Sequence, residues 1–164
     1  MTSRPQRQAW SAATQGPPPH SEIILMLTGL WNVGIKVPDL ERELKFHRDL
    51  GNEIVLDEIF TVDGVDYRIP LIKMGDKYQH VGERMVYEDE LGVELPYGLV
   101  HLVYLSDDFD TDVASCTKAG AVAIREPIEV SAGFGDRKVA FFKAPGSWIF
   151  EIAKIYEHRV PEVV

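Results

Sequence analysis

The sequence holds a single cysteine, Cys116, so an intrachain disulfide is impossible and a cysteine-rich zinc site is excluded. Positive charge is short as well: 17 Lys and Arg stand against 26 Asp and Glu, a net charge of −9. Neutralising nucleic-acid phosphates or anionic lipid needs a basic surface, so both kinds of partner are disfavoured. Long apolar runs are missing, and Ile23 to Leu27 falls far below the roughly 20 residues that span a bilayer. No glycine-rich phosphate loop opens a helix, since Gly133-Phe134-Gly135 lies between strand-like segments. Aliphatic side chains are scarce before about Ser21, where Pro5 and Pro17 to Pro19 sit among Ser, Thr and Gln. Such a segment cannot bury enough apolar surface to offset its ordering entropy, so residues 1–22 are expected to form a disordered arm. The arm has no apolar core of a secretory signal, and a cytoplasmic location is expected.

What remains is ordinary globular material, 45% apolar and 26% charged, and 164 residues suit about one domain. Leu30 to Val37 alternates as a strand does, with Val33, Ile35 and Val37 on one face. Asp39 is a good N-cap for a helix carrying Leu40, Leu44, Phe46 and Leu50, and Gly51 stops it. Asn52 to Val62, Val65 to Met74 and Tyr78 to Tyr87 read as three strands joined by turns at Asp63-Gly64 and Gly75-Asp76. After a linker at about Asp89 to Gly98 the same order returns. Leu99 to Leu105 is a strand, Asp107-Asp108 caps a helix with Phe109, Val113 and Cys116, and Gly120 closes it. Ala121 to Val130, Lys138 to Lys143 and Trp148 to Tyr156 complete the set.

The two halves keep step. Asp39, Leu40 and Gly51 recur 69 residues later as Asp108, Phe109 and Gly120, and Ile69 and Lys73 recur 70 later as Val139 and Lys143. Repetition at one period marks a duplicated unit. The expected fold is α+β: two βαβββ modules, about 27–88 and 98–157, forming one curved mixed sheet around a cleft. Together they make a single domain over 23–158, followed by a tail at 159–164.

Strand parity then sorts the side chains. In the first strand Asn32, Gly34 and Lys36 face the cleft. His101 is the repeat partner of Asn32 and faces it as well, as does Glu151, an acid inside the apolar run Trp148-Ile-Phe-Glu-Ile-Ala. A carboxylate buried alone is costly, so it calls for a cation or strong donors. His101 and Glu151 in one cleft suit a divalent ion, although on composition alone a buried His–Glu hydrogen bond without metal is favoured. Arg137 and Lys138 flank the Gly133 turn and read as solvated surface charge, with an anion-holding role as the alternative. Trp148, Phe142 and Met85 are candidates for apolar walls.

The run Asn32-Val-Gly-Ile-Lys-Val-Pro-Asp39-Leu, followed by Phe46-His-Arg-Asp-Leu-Gly51, resembles the opening module of the vicinal oxygen chelate superfamily. Gly98-Leu-Val-His101-Leu-Val-Tyr-Leu-Ser-Asp-Asp108, followed by Phe141-Phe-Lys-Ala-Pro-Gly-Ser-Trp-Ile-Phe-Glu151, resembles its second module. That superfamily includes glyoxalase I, methylmalonyl-CoA epimerase, extradiol dioxygenases and bleomycin-binding proteins. The resemblance implies a metal-assisted lyase or isomerase acting on a small oxygen-bearing substrate. It implies a divalent ion (Zn, Ni, Mn, Co or Fe) at His101, Glu151, His80 and Asn32. Asn32 departs from the pattern, standing where a His is usual. At the fourth position the offset gives Val81, with His80 one residue away and Glu83 two; His80 is preferred. Glu83 and Glu151 are the candidate proton-transferring bases. The alternatives are a metal-free binding protein for a small molecule and an extradiol-type dioxygenase. A homodimer is the expected assembly, because modules of this kind pair side by side.

Overall fold

The computed structural model describes residues 27–161; the expected arm, residues 1–22, lies outside them. The elements run β1 (Gly29–Lys36), α1 (Leu40–Asp49), β2 (Glu53–Leu56), β3 (Ile59–Val62), β4 (Val65–Arg68), β5 (Leu71–Met74) and β6 (Lys77–Gly82). A short α2 (Glu88–Leu91) occupies the linker. The second half follows as β7 (Gly98–Leu105), α3 (Phe109–Lys118), β8 (Val122–Ala123), β9 (Ile128–Ala132), β10 (Gly135–Lys143) and β11 (Ile149–Ile155). One mixed sheet runs β2-β5-β6-β1-β7-β11-β10-β8, with β9 also on β10, while β3 and β4 form a separate hairpin. Each module therefore lays its strands in the same order outward from its first strand. The modules join where β1 meets β7, antiparallel.

Local chemistry explains the elements. Asp39 accepts from the Arg42 N–H at 3.0 Å, and Asp108 accepts from the Thr111 N–H, so both helices are side-chain capped. Gly51 and Gly120 follow the helices at φ 82° and 96°, a conformation costly for any residue with a Cβ. Leu40 and Leu44 of α1 pack on Val37, Ile72 and Val81. In the second module Phe109 and Cys116 of α3 pack on Ala140, Phe142, Phe150 and Ile152.

The long strands expected at Asn52 to Val62 and Val65 to Met74 are each divided. Asp57 and Glu58 separate β2 from β3, and Ile69-Pro70 separates β4 from β5. Pro70 has no N–H to continue a ladder, and the break lets the β3–β4 hairpin leave the main sheet. It folds toward the β9–β10 turn, where the Gly133 N–H donates to the Glu58 carboxylate and Phe60 meets Phe134 at 5.9 Å between ring centres. Likewise Tyr78 to Tyr87 is a strand only to Gly82, and Ala121 to Val130 is split between β8 and β9. The β3–β4 and β9–β10 hairpins both contribute side chains to a cavity lined from both modules.

β1 and β7 each carry a bulge. Trp31 is skipped between Leu30 and Asn32, and Val100 is skipped between His101 and Leu99. These are repeat-equivalent positions, and both side chains turn into the cleft core. Trp31 shares the sequence parity of Val33 and Ile35, so alternation alone assigns it to the helix face; the bulge reverses that.

Candidate functional site

The register shows how the sheet gathers the polar residues. Across the β1–β7 junction Asn32 lies opposite Val103 and Gly34 opposite His101. On the outer sides Gly34 pairs with His80, and Val103 with Glu151. A two-fold axis between β1 and β7 thus exchanges Asn32 with His101 and His80 with Glu151. Of the three residues considered at the fourth position, His80 is the repeat counterpart of Glu151.

His101 is the centre of the site. Its Nδ1 lies 2.8 Å from the Tyr87 hydroxyl, and its Nε2 lies 3.7 Å from Glu151 Oε2. If the phenol accepted from Nδ1–H, its own proton would be buried without a partner. With the phenol donating, Nδ1 accepts and the ring carries its proton on Nε2, facing Glu151. The imidazole fits against β1 only because residue 34 is glycine: a Cβ there would stand 2.6 Å from His101 Nε2, and closer to Cε1 and Nδ1. His101 and Glu151 are both buried. Burial pushes the imidazole down to about 4 and the Glu151 carboxyl up to about 7, the latter partly opposed by the Arg137 cation. At neutral pH the 3.7 Å contact is therefore not an ion pair. A neutral ring stands next to a carboxyl that is close to half ionised.

A cavity of about 50 Å³ opens beside the pair, walled by Phe60, His80, Met85, Tyr87, Phe134 and Glu151 among others. It draws on both modules and on both hairpins. His80 lies edge-on to Trp31 at 5.8 Å, its Nε2 buried without a partner. Burial and the nearby Arg137 hold the His80 imidazole well below its usual range. Asn32 is sealed in at 1% exposure, and neither end of its amide makes a hydrogen bond.

The sequence expectations divide accordingly. His101 and Glu151 come together, and Met85 lines the cavity. Glu83 does not: its carboxylate accepts from the Leu40 N–H at 3.0 Å and helps cap α1, outside the cavity lining. Phe142 lies on the helix side, stacked on Phe150 at 5.4 Å, and Trp148 is half exposed. Lys36 faces inward as parity requires but is paired with Glu88 at 2.9 Å. Arg137 overturns its reading as surface charge: it is 2% exposed, clasped between the rings of Trp31 and Phe134. Its place on β10 with the parity of Val139 and Phe141, both cleft residues, was the signal that could have found it. Tyr87 lay beyond sequence reasoning, because the turn after Gly82 carries it across to the other module.

The donor set can be tested against the ion that the resemblance implies. His101 and Glu151 are the right residue types and lie within reach of each other, but with its proton on Nε2 the His101 ring has no lone pair to offer an ion there. Among the described residues, no three His, Cys, Asp or Glu side chains converge as a metal centre requires. Asn32 adds only an amide oxygen, and the Arg137 cation already lies in the field of Glu151. As arranged, these residues do not make a three-ligand metal site.

Two fused βαβββ modules joined through their first strands, with a shared concave face, define the vicinal oxygen chelate (glyoxalase-like) fold, and this chain has it. No family model matches the sequence, and no curated protein matches it. Among solved structures it is similar to a variant of Streptomyces coelicolor methylmalonyl-CoA epimerase in complex with 2-nitronate-propionyl-CoA, at 18% identity and a TM-score of 0.61, covering 80% of this chain and 99% of that one. It is similar also to methylmalonyl-CoA epimerase from Mycobacterium tuberculosis, at 21% identity and a TM-score of 0.61, covering 84% and 95%. A hypothetical protein from Bacillus halodurans has 16% identity and a TM-score of 0.62, covering 79% and 96%. At these identities the likeness carries the fold.

Proposed function

We propose that this chain is an isomerase- or lyase-type enzyme that removes a proton from a carbon next to a carbonyl in a small oxygen-bearing substrate. The carrying observation is the buried pair: Glu151, raised to about 7, beside a neutral His101 on the edge of an apolar cavity. Glu151 takes the proton as its carboxylate and returns it as the acid, which a group titrating near neutral pH does efficiently. As the C–H bond breaks, its electron pair moves onto the carbonyl oxygen. The His101 Nε2–H donates to that oxygen, a role for which a neutral imidazole is suited. Tyr87 holds the ring in the required tautomer. The epimerase neighbours support the reading, because inverting a carbon acid requires the same proton removal.

His101, Glu151, His80 and Asn32, the residues expected to hold a divalent ion, do not form a metal centre as they are arranged. The extradiol reading needs two histidines and a carboxylate on one face of iron; His80 does not join the other two within ligand distance. A metal-free binding protein is the second reading, favoured by the non-ligating Asn32. Homodimer assembly is likewise proposed, with mass in solution as its test.

The deciding experiment is α-hydrogen exchange in D2O, followed by NMR, with methylmalonyl-CoA and with simple 2-substituted malonates, with and without added divalent ions. Exchange by the wild type, reduced about 100-fold or more in Glu151→Gln, supports the reading. Binding without exchange under any of these conditions overturns it in favour of sequestration.

A further inference from the structure

A groove of about 360 Å³ lies outside the chemistry above. It runs between the end of the linker and the start of β11, walled by Leu95, Pro96, Leu99, Leu102, Trp148 and Ile149. Its polar lining residues are Ser147 and His101, and His101 also walls the inner cavity. Leu99 is 61% exposed and Trp148 48%, and Tyr97, next to Pro96, is 59% exposed. Large apolar side chains gathered around one open groove mark a binding surface, whereas scattered ones do not. The rim is acidic. From Glu88 to Leu99 the chain has four acids and no Lys or Arg. Glu94, beside the groove, has a side chain 78% exposed, with the Lys36 ammonium 3.8 Å away.

The chain carries a segment of matching chemistry, tethered within reach. Leu27 packs on the cluster beneath α3 that includes Phe150, and Trp148 packs on the Phe150 ring at 5.2 Å between centres. The tether point and the groove therefore share one face of the sheet. The Thr28 N–H donates to the Leu105 carbonyl at one end of β7. The groove begins at Leu99, six residues along that strand, or about 20 Å. Pro18 is nine residues from Leu27, which span up to about 30 Å when extended. A tether this short sets an effective concentration in the millimolar range, so even a weak contact is populated. The charges are complementary: Arg4 and Arg7 precede Glu22, while all 26 acids lie from Glu22 onward. Gly16 is followed by Pro17, Pro18 and Pro19, and Trp10 is the only Phe, Tyr or Trp before Trp31. Such a composition builds no core of its own. Proline runs, however, enter aromatic-flanked grooves at small entropic cost, because their extended conformation is already set.

We propose that this groove docks the chain's own segment Trp10–Pro19, with Pro17–Pro19 against the Tyr97 and Trp148 rings. Docked there, the segment covers the outer side of His101, the residue that the groove and the inner cavity share. The inference does not depend on the reaction proposed for the inner cavity.

The test attaches a nitroxide to Gln15→Cys in the full chain and reads amide NMR intensities. The unsubstituted chain, treated alike, controls for labelling at Cys116, which is buried with its thiol pushed up by that burial. The amides of Leu99, Leu102, Trp148 and Ile149 are expected to lose most of their intensity, while Ile54 and Ile72 on the far side of the sheet keep theirs. Leu99→Glu places a charge at an exposed position and should restore the groove signals. Pro17→Gly, Pro18→Gly and Pro19→Gly together should restore them as well. Groove amides indifferent to the nitroxide, or broadening that persists unchanged in Leu99→Glu, would overturn the proposal. A mixture of isotope-labelled chain without nitroxide and unlabelled chain with it tests the other occupant, a second copy. No broadening is expected there; broadening equal to that within one chain assigns the contact to a second copy and overturns the proposal.

Discussion

Gly34→Ala tests the geometry of the site while replacing none of its polar side chains. The added methyl would meet His101 across the whole ring, at 2.6 Å from Nε2 and nearer at two other atoms. Ordinary contact is about 3.5–4.0 Å, so the imidazole has to retreat by more than an ångström. It cannot do so and keep the 2.8 Å bond to Tyr87, and its relation to Glu151 is lost as well. Overpacking of this kind costs about 1–3 kcal/mol, and the lost hydrogen bond about 1 kcal/mol more. For a chain of this size the sum lowers the melting temperature by about 5–15 °C. Displacing a positioned group by an ångström costs about 100-fold in rate. Gly29→Ala is the control: it lies in the same strand, and nothing stands within 4 Å of a Cβ built there. The assay is a thermal melt of both variants, with the His101 imidazole followed by NMR. A Gly34→Ala protein that melts with the wild type and keeps its His101 resonances would refute the proposed packing of the site.

Other expectations are more local. Between about pH 4 and 6.5 the unfolded chain binds a proton on His101 that the folded chain does not, so this group's contribution to stability falls as pH drops through that window. Glu151 acts in the opposite sense: folded, it holds its proton up to about pH 7, so its contribution grows as pH falls from 7 toward 4.5. Glu151→Gln should therefore lose more stability than wild type between pH 7 and 5 in urea unfolding, and an equal loss in both would contradict the assigned shifts. Tyr87→Phe should cost about 1 kcal/mol and release the His101 tautomer, visible in its ring nitrogen shifts; unchanged shifts would argue against the phenol as donor. Ser106→Ala leaves the buried Asp112 carboxylate without its hydroxyl partner and should destabilise by about 1–3 kcal/mol in denaturant titration; a neutral result would show that Asp112 is hydrated.

Much of the fold was legible because it is written twice. Asp39 and Asp108, Leu40 and Phe109, and Gly51 and Gly120 recur in step, and each is set by chemistry local to a helix end. Parity placed His101 and Glu151 on one face because strand alternation depends only on the chain's own geometry. It failed at Trp31, where one skipped residue in the ladder reverses the rule, and at Arg137, where charge type was allowed to outweigh position. It could not reach Glu83, whose carboxylate found the open end of α1 rather than the cleft.

The repeated order of strands and helices, the caps and stops, and the inward face of each regular strand were determined by sequence alone, since each follows from propensity and periodicity within a few residues. The tertiary structure alone decided that β1 and β7 join and so pair His80 with Glu151 as counterparts. It also decided that Gly34 makes room for an imidazole from the other module, that Tyr87 crosses to hold that ring, and that Arg137 is drawn into an aromatic clasp. Those facts depend on which segments distant along the chain become neighbours, and on how much water their meeting expels. No local pattern encodes either quantity.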